Sequence, residues 1–216
     1  MEKIIIWGGT GNLRVLYEML ADTFHIAGYF DNNANVAKNY RGIPLLGNRQ
    51  AFLEWVSGLT GTDRPNFIVG IGPGHGNDRL AIHDELKAHG LRPITAIHRT
   101  AFVAETAEVG EGSQVYANAA VCADVRIGRA CIVNTSASVD HECVVEHGAT
   151  VGPGAILAGL VEVGPNADIY AGATILPRIR VGASAVVGAG AVVLEDVPDH
   201  AVVVGNPARV IRTREG

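Results

Sequence analysis

Every sixth residue from Ile97 to Val193 is a branched aliphatic, seventeen in succession without a gap. Four residues after each comes a second register that is nearly always small, as at Ala101, Ser113, Ala137, Cys143, Ala155 and Ala191. A period of six fits neither the 3.6-residue turn of a helix nor the two-residue alternation of a strand. It predicts a solenoid whose repeat is one short flat strand plus a turn. The aliphatic fills the interior, and the small residue lets the backbone bend at the corner without crowding it. Gly110, Gly128, Gly152, Gly164, Gly182 and Gly188 directly follow an aliphatic. There a tight turn or a close backbone approach is easiest for a residue without a side chain.

Residues 1–95 lack this period and alternate between strand-like and helix-like stretches. Strands are predicted over 3–7, 26–30 and 67–71, helices over 12–21, 49–56 and 78–88, and residues 94–97 lead into the solenoid. The pattern describes a small Rossmann-like parallel sheet of about four strands. Its ligand edge lies at the strand C-termini, where Gly8, Asp31 and Gly72 fall. The first loop, Gly8-Gly9-Thr10-Gly11-Asn12, joins a strand to a helix N-terminus, whose free N–H groups favour phosphate. Its glycines read G-x-x-G rather than the dinucleotide G-x-G-x-x-G. Asp31, at the end of the second strand, suits either a ribose hydroxyl or the capping of its own loop.

The formal charge of −5 argues against nucleic acid, which calls for a basic surface. The start, Met1-Glu2-Lys3 followed by four apolar residues and then Gly8, is too short for a signal segment, and no run approaches membrane-spanning length. The expectation is a cytoplasmic protein with no membrane partner. Cys131 and Cys143 occupy the small register and Cys122 lies near them. They are expected as reduced core residues, with no disulfide and no metal.

The repeat [VIL]-[G]-x-x-[small]-x resembles that of the hexapeptide-repeat acyltransferases. The resemblance implies a left-handed parallel β-helix with three hexads per triangular coil, hence about five coils here, assembled as a homotrimer with the active site at the subunit interface. It extends to the first 95 residues. Gly8-Gly9-Thr10-Gly11-Asn12-Leu13, Asp31-Asn32 and Gly42-Ile43-Pro44-Leu45-Leu46-Gly47 are similar, in order, to segments of the bacterial nucleotide-sugar N-acetyltransferases and sialic acid O-acetyltransferases. Asn12 stands where histidine is usual, Leu13 where glycine is usual and Asn32 where a second aspartate is usual. The implied organisation is a nucleotide-sugar-binding domain over 1–95, and a β-helix acetyltransferase domain with a C-terminal tail over 96–216.

Within Asn134-Thr135-Ser136-Ala137-Ser138-Val139-Asp140-His141-Glu142-Cys143, the resemblance makes His141 the base that deprotonates the acceptor. Acyl transfer from a thioester needs such a base, because a protonated amine or neutral hydroxyl is a poor nucleophile. Glu142 or Asp140 would orient its ring. His147, one hexad later, is expected to be a solvated bystander, and His98 a structural residue of the junction. The acceptor's nucleotide is expected on Gly8, Thr10, Gly11, Asn12, Asp31, Asn32 and Gly72, and its sugar near Asn134. Acetyl-CoA is expected along Gly159, Ala171, Gly172, Ala189 and Gly190, with the Gly159 N–H facing the developing oxyanion. Thr150 stands where some relatives carry a second histidine and would give acetyl-CoA a hydroxyl contact. Arg209, in Gly205-Asn206-Pro207-Ala208-Arg209, would pair with a CoA phosphate. The expected activity is acetylation of the amine of a nucleotide-linked 4-amino-4,6-dideoxy sugar in surface-glycan biosynthesis. Two alternatives stand beside it: O-acetylation of a sialic acid or other sugar hydroxyl, and a noncatalytic trimeric scaffold.

Overall fold

The computed structural model describes residues 1–60 and 64–214. The chain divides into two compact units, Met1–Gly72 with Ala81–Ala96, and Pro73–Leu80 with Ile97–Gly216. The short segment Pro73–Leu80 thus groups with the solenoid, although it precedes it in sequence.

The first unit is built on β1 (Glu2–Trp7), α1 (Gly11–Leu20), β2 (Phe24–Phe30), β3 (Asn39–Tyr40), β4 (Ile43–Gly47), α2 (Arg49–Ser57), β5 (Asn66–Val69), α3 (Gly76–Ala88) and β6 (Arg92–Pro93), of which the first residues of α3 belong to the second unit. The sheet has six strands in the order β3-β4-β2-β1-β5-β6, parallel throughout except where β3 meets β4. About four were expected. The strand β4 is hidden in sequence by Pro44, which cannot donate to a ladder and demotes a run to an edge. Here Pro44 pairs only with the two-residue strand β3.

Helices cover both faces of this sheet, so β1 is apolar without alternation. Ile4 and Ile6 pack with Leu13, Leu16 and Leu20 of α1, whereas Ile5 and Trp7 pack with Phe52 and Val56 of α2. The buried leucines of α1 recur at three- and four-residue spacing, which gives the helix one apolar stripe. Asn48 begins α2 by accepting the Ala51 N–H at 3.2 Å.

The second unit is the left-handed β-helix. Its two-residue strands pair in parallel with the residue eighteen positions on: Ser138 with Ile156, Val144 with Glu162, Thr150 with Asp168. Three sheets result, one per face of the triangle. The face from Phe102–Val103 to Val192–Val193 holds six strands, one more than the expected number of coils. The aliphatic register from Val115 to Val193 is buried throughout, as is the small register from Ser113 to Ala191. From Gly112 to Gly190 every sixth residue has a positive φ, although most are not glycine; Glu142, at +58°, is one. Left-handed backbone costs a residue with a Cβ about 1–2 kcal/mol, so the stacked interior over-determines each corner. The glycines that directly follow an aliphatic serve the other purpose, close approach. A Cβ at Gly152 would lie 2.6 Å from the carbonyl oxygen of Ile169 in the next coil.

Leu157 sits in the middle of this interior with no exposure. Leu157→Ala is expected to cost about 2–5 kcal/mol, read as a lower denaturant midpoint. Burial pushes the thiols of Cys131 and Cys143 up to about 11, which fits inert packing residues.

Candidate active site

His141 occupies the corner between the strands Ser138–Val139 and Val144–Val145, with its side chain about half exposed. Of the two carboxylates expected to orient the ring, each takes a different atom. Asp140 Oδ1 accepts the backbone N–H of His141 at 2.8 Å, and Glu142 Oε2 lies 3.0 Å from His141 Nδ1. With Nδ1 donating to Glu142, Nε2 carries the lone pair. The left-handed backbone of Glu142 is what brings its carboxylate alongside the preceding residue's ring.

Nε2 lies over Gly159, one coil on in the same corner column. A Cβ at Gly159 would sit 2.5 Å from Nε2 and 2.6 Å from Cε1 of His141. No side chain therefore fits at 159 while the ring holds this position. Gly159→Ala is expected to displace the imidazole and lower kcat about tenfold or more with little change in melting temperature. Steady-state kinetics and a thermal melt on the same sample check this.

Gly159 also presents an uncapped donor. Side chains cap some of the corresponding corner groups: the N–H of Thr135 goes to Asn134 Oδ1 at 2.8 Å, that of Arg129 to His147 Nδ1 at 2.9 Å, and that of Ala183 to Asp199 Oδ1 at 2.9 Å, whereas those of the exposed Ala171 and Ala189 have no partner among the described residues. The N–H of Gly159 donates to nothing among the described residues, although Gly159 is buried. A buried N–H is almost always satisfied in a working structure, so this one suits an oxygen brought by a ligand.

Ala171–Gly172 and Ala189–Gly190 lie in a different column, that of Thr135 and Pro153. It forms the far edge of the face that His141 and Gly159 border. Ala171 and Ala189 are exposed. Arg209 begins the last strand, Arg209–Thr213; it is exposed and forms no ion pair among the described residues. Asn134 is half-buried with its Oδ1 committed to Thr135. His147 is exposed, but its ring caps the Arg129 N–H, so it is a backbone cap and not a bystander.

Thr150 departs from expectation. It is 1 % exposed on another face of the solenoid, and its Oγ1 accepts from Arg79 Nη2 at 3.3 Å. A hydroxyl buried beneath a guanidinium has no surface left for acetyl-CoA. Arg79 itself, fully buried, was not singled out in the sequence; an isolated arginine on a helical stretch carries no pattern that foretells burial.

In the first unit, the glycine loop follows β1 and opens α1. Asp31 Oδ2 accepts the Gly9 N–H at 2.6 Å and its Oδ1 accepts the Asn33 N–H at 2.7 Å. Asp31 therefore ties down the loop, the second of the two roles open to it. Asn32 Oδ1 accepts the Arg49 N–H at the start of α2. Only glycine fits at position 8, where φ is +119° and a Cβ would also meet Gly70 O at 2.7 Å. Gly11 meets nothing within 4 Å. Thr10 is the N-cap of α1 without a side-chain cap bond. The buried Nδ2 of Asn12 has no partner among the described residues and lies close to Gly72. The loop thus keeps open N-terminal N–H groups and an unsatisfied amide at the strand C-termini.

No family model and no curated protein sequence matches the chain. Solved structures do. A histidine-to-alanine variant of GDP-perosamine N-acetyltransferase from Caulobacter crescentus, in complex with CoA and GDP-perosamine, is 33 % identical, with a TM-score of 0.88 and 98 % of each chain covered. The acetyltransferase domain of PglB from Neisseria gonorrhoeae, in complex with acetyl coenzyme A, is 30 % identical at a TM-score of 0.86, over 97 % of this chain and 99 % of that one. WeeI from Acinetobacter baumannii shares the fold at 23 % identity and a TM-score of 0.75, over 98 % of this chain and 100 % of that one. The chain belongs to the hexapeptide-repeat nucleotide-sugar N-acetyltransferases.

Proposed function

We propose that this protein transfers the acetyl group of acetyl-CoA to the amine of a nucleotide-linked 4-amino-4,6-dideoxy sugar, for surface-glycan biosynthesis. The observation that carries this reading is the His141–Glu142 pair poised over Gly159, in a chain that matches almost end to end a protein bound to CoA and GDP-perosamine.

The steps follow from the geometry. The neutral amine attacks the thioester carbonyl while Nε2 of His141 takes its proton, and Glu142 stabilises the imidazolium that forms. The Gly159 N–H donates to the oxyanion of the tetrahedral intermediate. Collapse breaks the C–S bond, the proton passes from His141 to the departing thiolate, and CoA and the amide leave. The Gly8–Gly11 loop at the N-terminus of α1 holds the nucleotide's phosphates with Thr10, Asn12, Asn32 and Gly72 nearby, and Asp31 keeps the loop in shape. Asn134 meets the sugar. The pantetheine arm runs over the Ala171–Gly172 and Ala189–Gly190 edge, and Arg209 meets a CoA phosphate.

The face bordered by His141 exposes Phe102 and Ile156 at 60 and 46 %, and Leu194 is 48 % exposed just beyond its last strand. Exposed apolar side chains along a flat solenoid face suit a homotrimer in which neighbouring subunits complete each site. Cys122, Cys131 and Cys143 are free thiols, and no helix among the described residues is long and apolar enough to cross a membrane. The free thiols suit a cytoplasmic enzyme.

A 4-hydroxy analogue of the acceptor separates N- from O-acetylation. It should bind, by calorimetry, within about tenfold of the amine and release almost no thiol from acetyl-CoA, because a neutral hydroxyl makes similar contacts but is a far weaker nucleophile than a neutral amine. Thiol release with the hydroxyl analogue and none with the amine would favour the O-acetyltransferase instead.

A further inference from the structure

Arg79 is the one fully buried cation of the second unit among the described residues. Its Nε donates to the Ala130 carbonyl at 2.7 Å and its Nη2 to the Gly148 carbonyl at 2.6 Å and to Thr150 Oγ1 at 3.3 Å. Ala130 and Gly148 are equivalent corners of successive coils. In the coil after those, Asp168, 3 % exposed, accepts the Gly74 N–H on Oδ1 at 3.0 Å. The segment Pro73–Leu80 is thereby fastened across three coils, at Gly74 and at Arg79. Burial pulls the guanidinium below its ordinary pKa, with the Asp168 charge opposing that shift. Keeping a charge here is unfavourable compared with an apolar staple of the same size. What the arrangement gains is a fixed position, set by directed bonds.

Only Pro73 separates Gly74 from Gly72, which follows β5 and lies close to the unpartnered Asn12 Nδ2. Two residues of chain reach at most about 7 Å, so Gly72 moves only as far as Gly74 allows. We propose that Arg79 is a positioning residue for the acceptor: it locks Pro73–Leu80 onto the solenoid and so restrains Gly72, which lies beside Asn12 of the nucleotide loop. This rests on the reading that the glycine loop binds the acceptor's nucleotide.

Arg79→Met keeps the length of the side chain and removes its donors; Thr150→Val removes one acceptor and keeps the shape. Arg79→Met is expected to raise the acceptor KM about tenfold or more, with the acetyl-CoA KM and the saturated kcat within about twofold. Thr150→Val is expected to raise it about two- to threefold, the scale of one hydrogen bond, and carries the test if Arg79→Met does not fold. Amide exchange over residues 74–80 should accelerate in both. Acceptor and acetyl-CoA KM rising together would mark general loosening and overturn the proposal, as would faster exchange with neither KM changed. Gly11→Val, measured beside them, separates the two levels. If Gly11→Val raises the acceptor KM and the Arg79 and Thr150 variants do not, only the positioning role falls; if Gly11→Val has no effect, the nucleotide reading falls with it.

Discussion

His141→Ala is expected to lower kcat by about 10²–10⁴, the scale of a lost general base, with the acetyl-CoA KM little changed. The side chain is exposed and, among the described residues, bonded only to its neighbour Glu142, so its removal leaves no cavity and no buried orphan. Glu142→Gln should retain part of the activity, because an amide oxygen still accepts from Nδ1 but no longer stabilises the imidazolium. His147→Ala is the control. It loses the cap on Arg129, worth about 1 kcal/mol of stability, and leaves kcat unchanged. Equal losses of kcat at 141 and 147 would place the base elsewhere.

Gly11→Val is expected to raise the acceptor KM at least tenfold while leaving acetyl-CoA affinity within about twofold. The structure makes this a clean experiment. Gly11 is the first residue of α1, without a positive φ, and a Cβ there meets nothing within 4 Å. A valine projects into the open space where phosphate would approach the helix N-terminus, at the modest cost of a β-branched residue in the first turn. The same substitution at Gly8 would tell nothing, since its backbone and the Gly70 carbonyl exclude any side chain. Native melting with an unchanged acceptor KM would remove the loop from the acceptor site.

The solenoid was legible because one six-residue period states the whole architecture, and Val139, Val145 and Val151 fall inside where the period puts them. The stacking of Gly159 on His141 was equally legible, since an eighteen-residue coil fixes which corners lie in one column. What the period does not encode is a second layer. Thr150 and Asp168 sit at outward strand positions that spacing assigns to solvent, yet both are buried, because Pro73–Leu80 supplies an arginine and a backbone N–H from outside the repeat. Such a contact is long-range and carries no periodic mark. In the sheet of the first unit, β3 and β6 escaped because two-residue strands have too few positions to show alternation, and β4 because Pro44 interrupts its run.

Thiol release from acetyl-CoA, measured against a panel of UDP-, dTDP- and GDP-linked 4-amino sugars with wild type and His141→Ala side by side, tests the central claim most directly. The expected result is stoichiometric thiol and N-acetylated sugar with at least one member of the panel, falling by about 10²–10⁴ in the variant. Thiol released at the same rate by both proteins, or by neither with any amino sugar, would contradict it.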